Sequence, residues 1–206
     1  MLYTFFLKKN KGDKKPFSIA ELVNLYSKTF SQDVVISFPG FMSKSISKIA
    51  DFKKLLPLTD SVYFTVGMNG NTKLNGTNYT IQEEYNKQYS SKMNFPNFKT
   101  DHSKILFFID EKHCDFDNQD IQVKAVLIGS TNQSYESYFK SPAKKGEADI
   151  FIVDGDSIDN DDTKAESILV KIYEGLSKNL REQIVFGKQL CGNNPNYLNN
   201  LLLSLI

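Results

Sequence analysis

An α/β fold is predicted, a mixed β-sheet flanked by helices with one domain per chain, and three features predict it. Short apolar runs rich in β-branched and aromatic residues recur at 34–38, 105–109, 125–128 and 150–153. Each is bounded by polar or turn residues, in the manner of a buried strand. Among them lie segments with apolar residues at helical spacing, several opened by capping-box patterns. The chain has 206 residues, 40% hydrophobic and 24% charged, enough for one sizeable core and not clearly for two.

Residues 1–8 read as a strand and the lysines up to residue 15 as a basic turn. Ser18-Ile19-Ala20-Glu21 is a capping box opening a helix to about Phe30, with Ile19, Leu22, Val23 and Tyr26 on one face. The strand at 34–38 ends in Pro39-Gly40. An amphipathic helix over 43–56, with Ile46, Ile49 and Ala50 in helical spacing, is stopped by Pro57. A strand over 61–66 runs into the Asn- and Gly-rich loop 69–78, and Thr80-Ile81-Gln82-Glu83 caps a helix to about Ser90. After the strand at 150–153, the acidic run 154–162 reads as a solvated loop. It fails the EF-hand pattern because its glycine comes too early and no Glu closes it. Thr163-Lys164-Ala165-Glu166 caps a helix to about Leu180, and a last helix covers 196–206, so 156–206 reads as a helical C-terminal extension.

Composition narrows the function classes. The net charge of +1 gives no general attraction to nucleic acid, so a nucleic-acid surface would have to be a local lysine patch. Arg181 is the only arginine, so phosphate would be met by point charges rather than bidentate forks. Cys114 and Cys191 make no disulfide framework and no zinc spacing; they read as free thiols in a reducing cytosol, with Cys114 in an exposed polar loop. No segment reaches the roughly 18 apolar residues of a membrane span. The first residues are too short for a signal sequence, and the expected setting is cytoplasmic and unprocessed.

The chemistry-bearing residues sit beside the strands. His102 and Lys104 occupy alternate positions, so on a strand they share a face. Gly129-Ser130-Thr131-Asn132 stands where a strand gives way to a turn, and Glu147 precedes the next strand. An imidazole that can attack phosphorus, a fixed cation, a hydroxyl, an amide and an orienting acid are what phosphodiester cleavage needs without a metal. Separately, H-x-K is a chance pattern on any solvated strand, and G-S-x-N is an ordinary turn.

In this order, His102-Ser103-Lys104, then Gly129-Ser130-Thr131-Asn132, then Glu147, the chain resembles the phospholipase D superfamily, in particular its single-motif nucleases and restriction endonucleases. The resemblance covers roughly residues 33–155. It departs from the family in two ways. Ile109 stands where an aspartate is common, with Asp110 one place late, and the polar stretch 110–122 lengthens the spacing between the motifs and reads as an extended hairpin loop.

The resemblance implies a single phospholipase D-like domain over 1–206 and a phosphodiesterase needing no cofactor or metal. His102, Lys104, Ser130, Asn132 and Glu147 are its implied catalytic residues. Because the chain carries one motif, it implies a homodimer with the active site across the two-fold axis. DNA is the expected substrate, with RNA as the alternative. Lys124 and Lys140 are candidate backbone contacts, and Tyr135, Tyr138 and Phe139 are candidates for stacking or for the core. Two other readings stay open. One is a catalytically silent binding or dimerisation module; the other is a lipid or small-molecule phosphodiesterase.

Overall fold

The computed structural model describes residues 1–9, 19–30, 33–39, 62–64, 104–130, 147–189 and 197–203. The strands are β1 (Leu2–Lys9), β2 (Val34–Pro39), β3 (Val62–Phe64), β4 (Lys104–Asp115), β5 (Asp120–Gly129), β6 (Glu147–Asp154) and β7 (Ile184–Gln189). The helices are α1 (Ile19–Thr29), α2 (Asp162–Gly175), the short α3 (Lys178–Arg181) and α4 (Tyr197–Leu203). The strands form one sheet in the order β3-β2-β4-β5-β6-β1-β7. Only β2 and β3 run parallel; β2, β4, β5, β6, β1 and β7 make a six-stranded antiparallel block. The expected mixed α/β domain is present in this form. The segments read as helices at 43–56 and 80–90 lie outside the described residues.

Strand alternation sorts side chains onto two faces. Tyr3, Phe5 and Leu7 of β1, Leu106 and Phe108 of β4, Ala125 and Leu127 of β5, and Phe151 and Val153 of β6 meet α1 and α2 in one core. Tyr26 of α1 packs edge-on against both Phe108 and Phe151, with ring centroids 5.0 Å away in each case. Val34, Ile36, Ile105, Phe107, Ile109, Val123 and Val126 point the other way and meet Leu198 and Leu202 of α4. The centre of the sheet is therefore covered on both sides. That is why β4 reads as an unbroken apolar run rather than an alternating one.

The stretch 110–122 is not a long loop. β4 continues to Asp115, β5 starts at Asp120, and only the turn 116–119 lies between them. Cys114 pairs with Ile121, and both join the α4-side core. The Asp115 carboxylate accepts the Asp117 and Asn118 amides at 3.1 Å each, which folds the turn, and Gln119 takes a left-handed φ of 57°. The polar composition hid this strand because Glu111, Lys112 and His113 face solvent. The register is irregular between Ile109 and Cys114, and the Asn199 side chain of α4 serves the backbone next to it. It accepts from Val123 N–H at 2.7 Å and donates to Ile121 C=O at 2.6 Å. Cys114 is buried rather than exposed, and burial pushes its thiol up to about 12.

The C-terminal part is not a helical appendage. β7 lies within residues 156–206 and pairs with β1 along its length, Phe186 stacking on Phe5 at 4.6 Å. The helix expected from Thr163 to about Leu180 begins at Asp162, capped by Asp161, and stops at Gly175 before the separate α3. At that break, Glu21 accepts hydrogen bonds from the Ser177 amide and hydroxyl. The acid read as half of a capping box thus ties α1 to the α2–α3 junction.

A buried ionic cluster pins the end of α1 and the start of β2 to the sheet. Lys124 Nζ lies 2.8 Å from Asp33 Oδ1, 3.3 Å from Asp110 Oδ2 and 5.3 Å from the centre of the Phe30 ring. Asp33 is 2% exposed, and its second oxygen has no hydrogen-bond partner. Burial outweighs the Lys124 contact and pushes the Asp33 carboxyl up to about 6. Burial would raise Asp110 too, but the Lys112 amide and the Lys124 ammonium outweigh it and hold that carboxyl below its ordinary value.

The native chain therefore keeps a proton on Asp33 between about pH 4 and pH 6 that the unfolded chain has released, so this group's contribution to stability falls as pH rises through that window. Urea unfolding of the wild type and Asp33→Asn across pH 4–7 should show the wild type losing about 1–3 kcal/mol of stability relative to the variant as pH rises. A pH-independent difference would contradict the assigned shift.

Candidate functional site

Three neighbouring strands end together. Lys104 is the first residue of β4, Gly129 the last of β5 and Glu147 the first of β6, with Ser130 just beyond Gly129. The ladders Ile105↔Ile128 and Gly129↔Asp149 bring these positions side by side at one end of the sheet. Alternation from Leu106 and Phe108 assigns Lys104 to the face covered by α1 and α2. Alternation from Phe151 and Val153 assigns Asp149 and Glu147 to the same face.

Ser130 locks the end of β5 to β6. Its amide donates to Ala148 C=O at 2.9 Å. Its hydroxyl accepts from Ala148 N–H at 2.9 Å and donates to Ala148 C=O at 3.3 Å. The hydroxyl is thus engaged with the peptide between Glu147 and Asp149. In this geometry Ser130 holds the acidic strand end in place rather than offering a free donor.

Gly129 has a steric reason to be glycine. A Cβ there would fall against the Asp149 carboxylate, 2.7 Å from Cγ, and 2.8 Å from the Ala148 carbonyl oxygen. The missing side chain lets the Asp149 carboxylate lie over β5, where it is only 3% exposed. Sequence reasoning chose Glu147 and passed over Asp149, which reads as one polar residue inside an apolar strand. The usable signal was the glycine: a strand-ending Gly opposite an acid admits that acid.

The remaining expected residues divide clearly. His102, Asn132 and Lys140, with Tyr135, Tyr138 and Phe139, lie outside the described residues. Lys124 belongs to the Asp33–Asp110 cluster, farther back along β5 and roughly 20 Å from Ser130 at about 3.3 Å per residue. Its side chain is 12% exposed and its ammonium is committed to two carboxylates, so it serves the interior and not the strand end. His113 is half exposed at the far end of the β4–β5 hairpin, with Nδ1 3.0 Å from Asp120 Oδ1. Among the described residues, no three His, Cys, Asp or Glu side chains gather as a metal centre would require, and no helix is long and apolar enough to cross a membrane.

Chemically, the strand end offers a cation and two carboxylates on one face, with a backbone lock beside them. A cation there can meet a phosphoryl oxygen, and a carboxylate can orient an N–H donor. No protein-family model, curated protein sequence or solved structure matches the chain.

Gly129→Ala should destabilise the fold by about 1–3 kcal/mol, because the new methyl must displace the Asp149 carboxylate or the Ala148 carbonyl. Thermal or urea unfolding checks this, and wild-type stability in that variant would refute the close approach.

Proposed function

We propose that the chain is a metal-independent phosphodiesterase, in first place a DNA endonuclease, acting through a phosphohistidine at a homodimer interface. One observation carries the reading: Lys104, Ser130 and Glu147, widely separated in sequence and singled out there by motif, lie together at one end of three adjacent strands. That convergence is what a composite site requires. The motif order His102-Ser103-Lys104, Gly129-Ser130-Thr131-Asn132 and Glu147 supports the same chemistry.

In the proposed reaction, one ring nitrogen of His102 attacks phosphorus and forms a P–N bond while the P–O bond to the leaving group breaks. The partner subunit's His102 gives its proton to the departing oxygen. That same imidazole then takes a proton from water, which attacks phosphorus, breaks the P–N bond and restores His102. Lys104 and Asn132 hold the phosphoryl oxygens, and an acid on β6 orients the attacking ring. Ser130 contributes by fixing the β6 end, in keeping with its bonds to Ala148. The lysine-dominated basic content suits a sequence-tolerant phosphate contact, and restriction-type specificity would have to come from loops.

Purified protein should cut labelled single- or double-stranded DNA in excess EDTA. His102→Ala and Lys104→Ala should keep their fold and lose turnover by about a thousandfold or more. His113→Ala should cut within about threefold of wild type, since a loss confined to an exposed surface pair removes no transition-state contact. Activity abolished by chelator, or lost in His113→Ala instead of His102→Ala, would overturn the mechanism. Absence of cutting by wild type would favour the silent binding module or a lipid or small-molecule substrate.

A further inference from the structure

We propose that β7 pairs along its outer edge with β7 of a second copy of this chain, antiparallel about a two-fold axis at Phe186, so that the two sheets run on as one. This goes beyond the phosphodiesterase reading and does not rest on it. β7 ends the sheet order, and among the described residues no strand lies beyond it. Its ladder with β1 is regular from Ile184 to Gln189. The outer N–H and C=O groups of an edge strand are a template for further pairing, which a bulge, a proline or a free charge commonly blunts. β7 has no bulge and no proline, and its one charge, Lys188, is drawn to Glu166 at 2.6 Å.

The side chains along this edge favour the same kind of partner. Ile128, Ile150, Phe6 and Val185 stand in register across β5, β6, β1 and β7, on the face opposite α1 and α2. Ile128 and Ile150 are partly buried, Phe6 is 40% exposed and Val185 65% exposed, so the apolar row opens to solvent as it nears the edge. The α4-side core takes in no residue of β1 or β7. A two-fold perpendicular to the sheet sets each residue against one of its own face, so the axis passes through a residue. With the axis at Phe186, residues 184–188 of both copies pair. Phe186 then meets the partner's Phe186, and Val185 lies over the partner's Gly187. Lys188 falls diagonally beside the partner's Glu182, which is 52% exposed and only loosely held by Lys178 at 4.0 Å. With the axis at Gly187, Lys188 would instead neighbour the partner's Lys188. With the axis at Val185, three strand residues would pair instead of five. Charge and length thus favour one register.

β7 is three strands from β5, about 14 Å, which leaves the Gly129 positions of the two copies roughly 34 Å apart across this axis. The contact is therefore separate from the two-fold across which the reaction is proposed, and a chain with both contacts assembles beyond a dimer.

Light scattering on a sizing column should give the wild type at least twice the mass of one chain. Val185→Lys, which puts a charge into the apolar row of each copy, should halve that mass with the circular dichroism unchanged. By hydrogen exchange, the wild-type 184–189 amides should exchange about tenfold more slowly at about 200 μM than at about 2 μM. A wild type of single-chain mass overturns the proposal, and so does a folded Val185→Lys of wild-type mass. Exchange at 184–189 that is indifferent to concentration also overturns it, and decides even if Val185→Lys does not fold. Mass and exchange are read without substrate. A β7 pair in a protein that cuts no DNA upholds this contact and overturns only the reaction.

Discussion

Register between β4, β5 and β6 is the constraint on which the strand-end site depends. A slip of one residue between two strands exchanges the faces of every side chain on the moved strand. Here such a slip would turn Leu106 and Phe108 or Phe151 and Val153 away from α1 and α2, and it would carry Lys104 or Asp149 to the opposite face. The core therefore enforces the site: the aromatic contacts of Tyr26 with Phe108 and Phe151 also hold the cation and the acid on a common face. Burial on both sides of the sheet strengthens this, because a slip would be penalised against α4 as well as against α1 and α2.

The two ends of the β4–β5 hairpin have different characters. At one end, Gly129 and Ser130 meet β6 with regular pairing, and Lys104 stands on β4 at the same end of the sheet. Towards the other, the ladder is irregular, Asn199 takes up backbone groups, and Lys124 is held between two carboxylates. Asp33 keeps a charge only at a cost that Lys124 partly offsets, which makes this end a pH-dependent structural joint. Polar residues near one another in sequence are thus separated by function along the strand: Lys124 stabilises packing, and Ser130 fixes a strand terminus.

The sheet joins segments far apart in the sequence. β1 lies between β6 and β7, so the first residues form an interior strand and the strand after α3 forms the edge beside it. The Met1 ammonium binds Asp156 at 2.9 Å, and Gly155 N–H donates to Met1 C=O at 2.8 Å, which draws the acidic segment after β6 onto β1. The run that looked like free solvated loop in sequence includes a short turn, Gly155–Ser157, docked on the N-terminus.

What the sequence by itself determined was local: the strands at 34–38, 105–109, 125–128 and 150–153, the helix after Ser18, and the α/β class. These follow from periodicity and turn chemistry, which are properties of neighbouring residues. It also singled out Lys104, Ser130 and Glu147, because a motif is a pattern along the chain. The tertiary structure alone decided the antiparallel order, the place of β1 between β6 and β7, the strand character of Glu111–His113 and the interior role of Lys124, since each depends on partners distant in sequence. β7 was missed because its short run, Ile184-Val185-Phe186-Gly187, is interrupted by glycine and becomes a strand only through β1. Asp149 was missed for the same reason: its burial depends on the absent side chain of Gly129 across the ladder, and pairing across a sheet is not written in either strand alone.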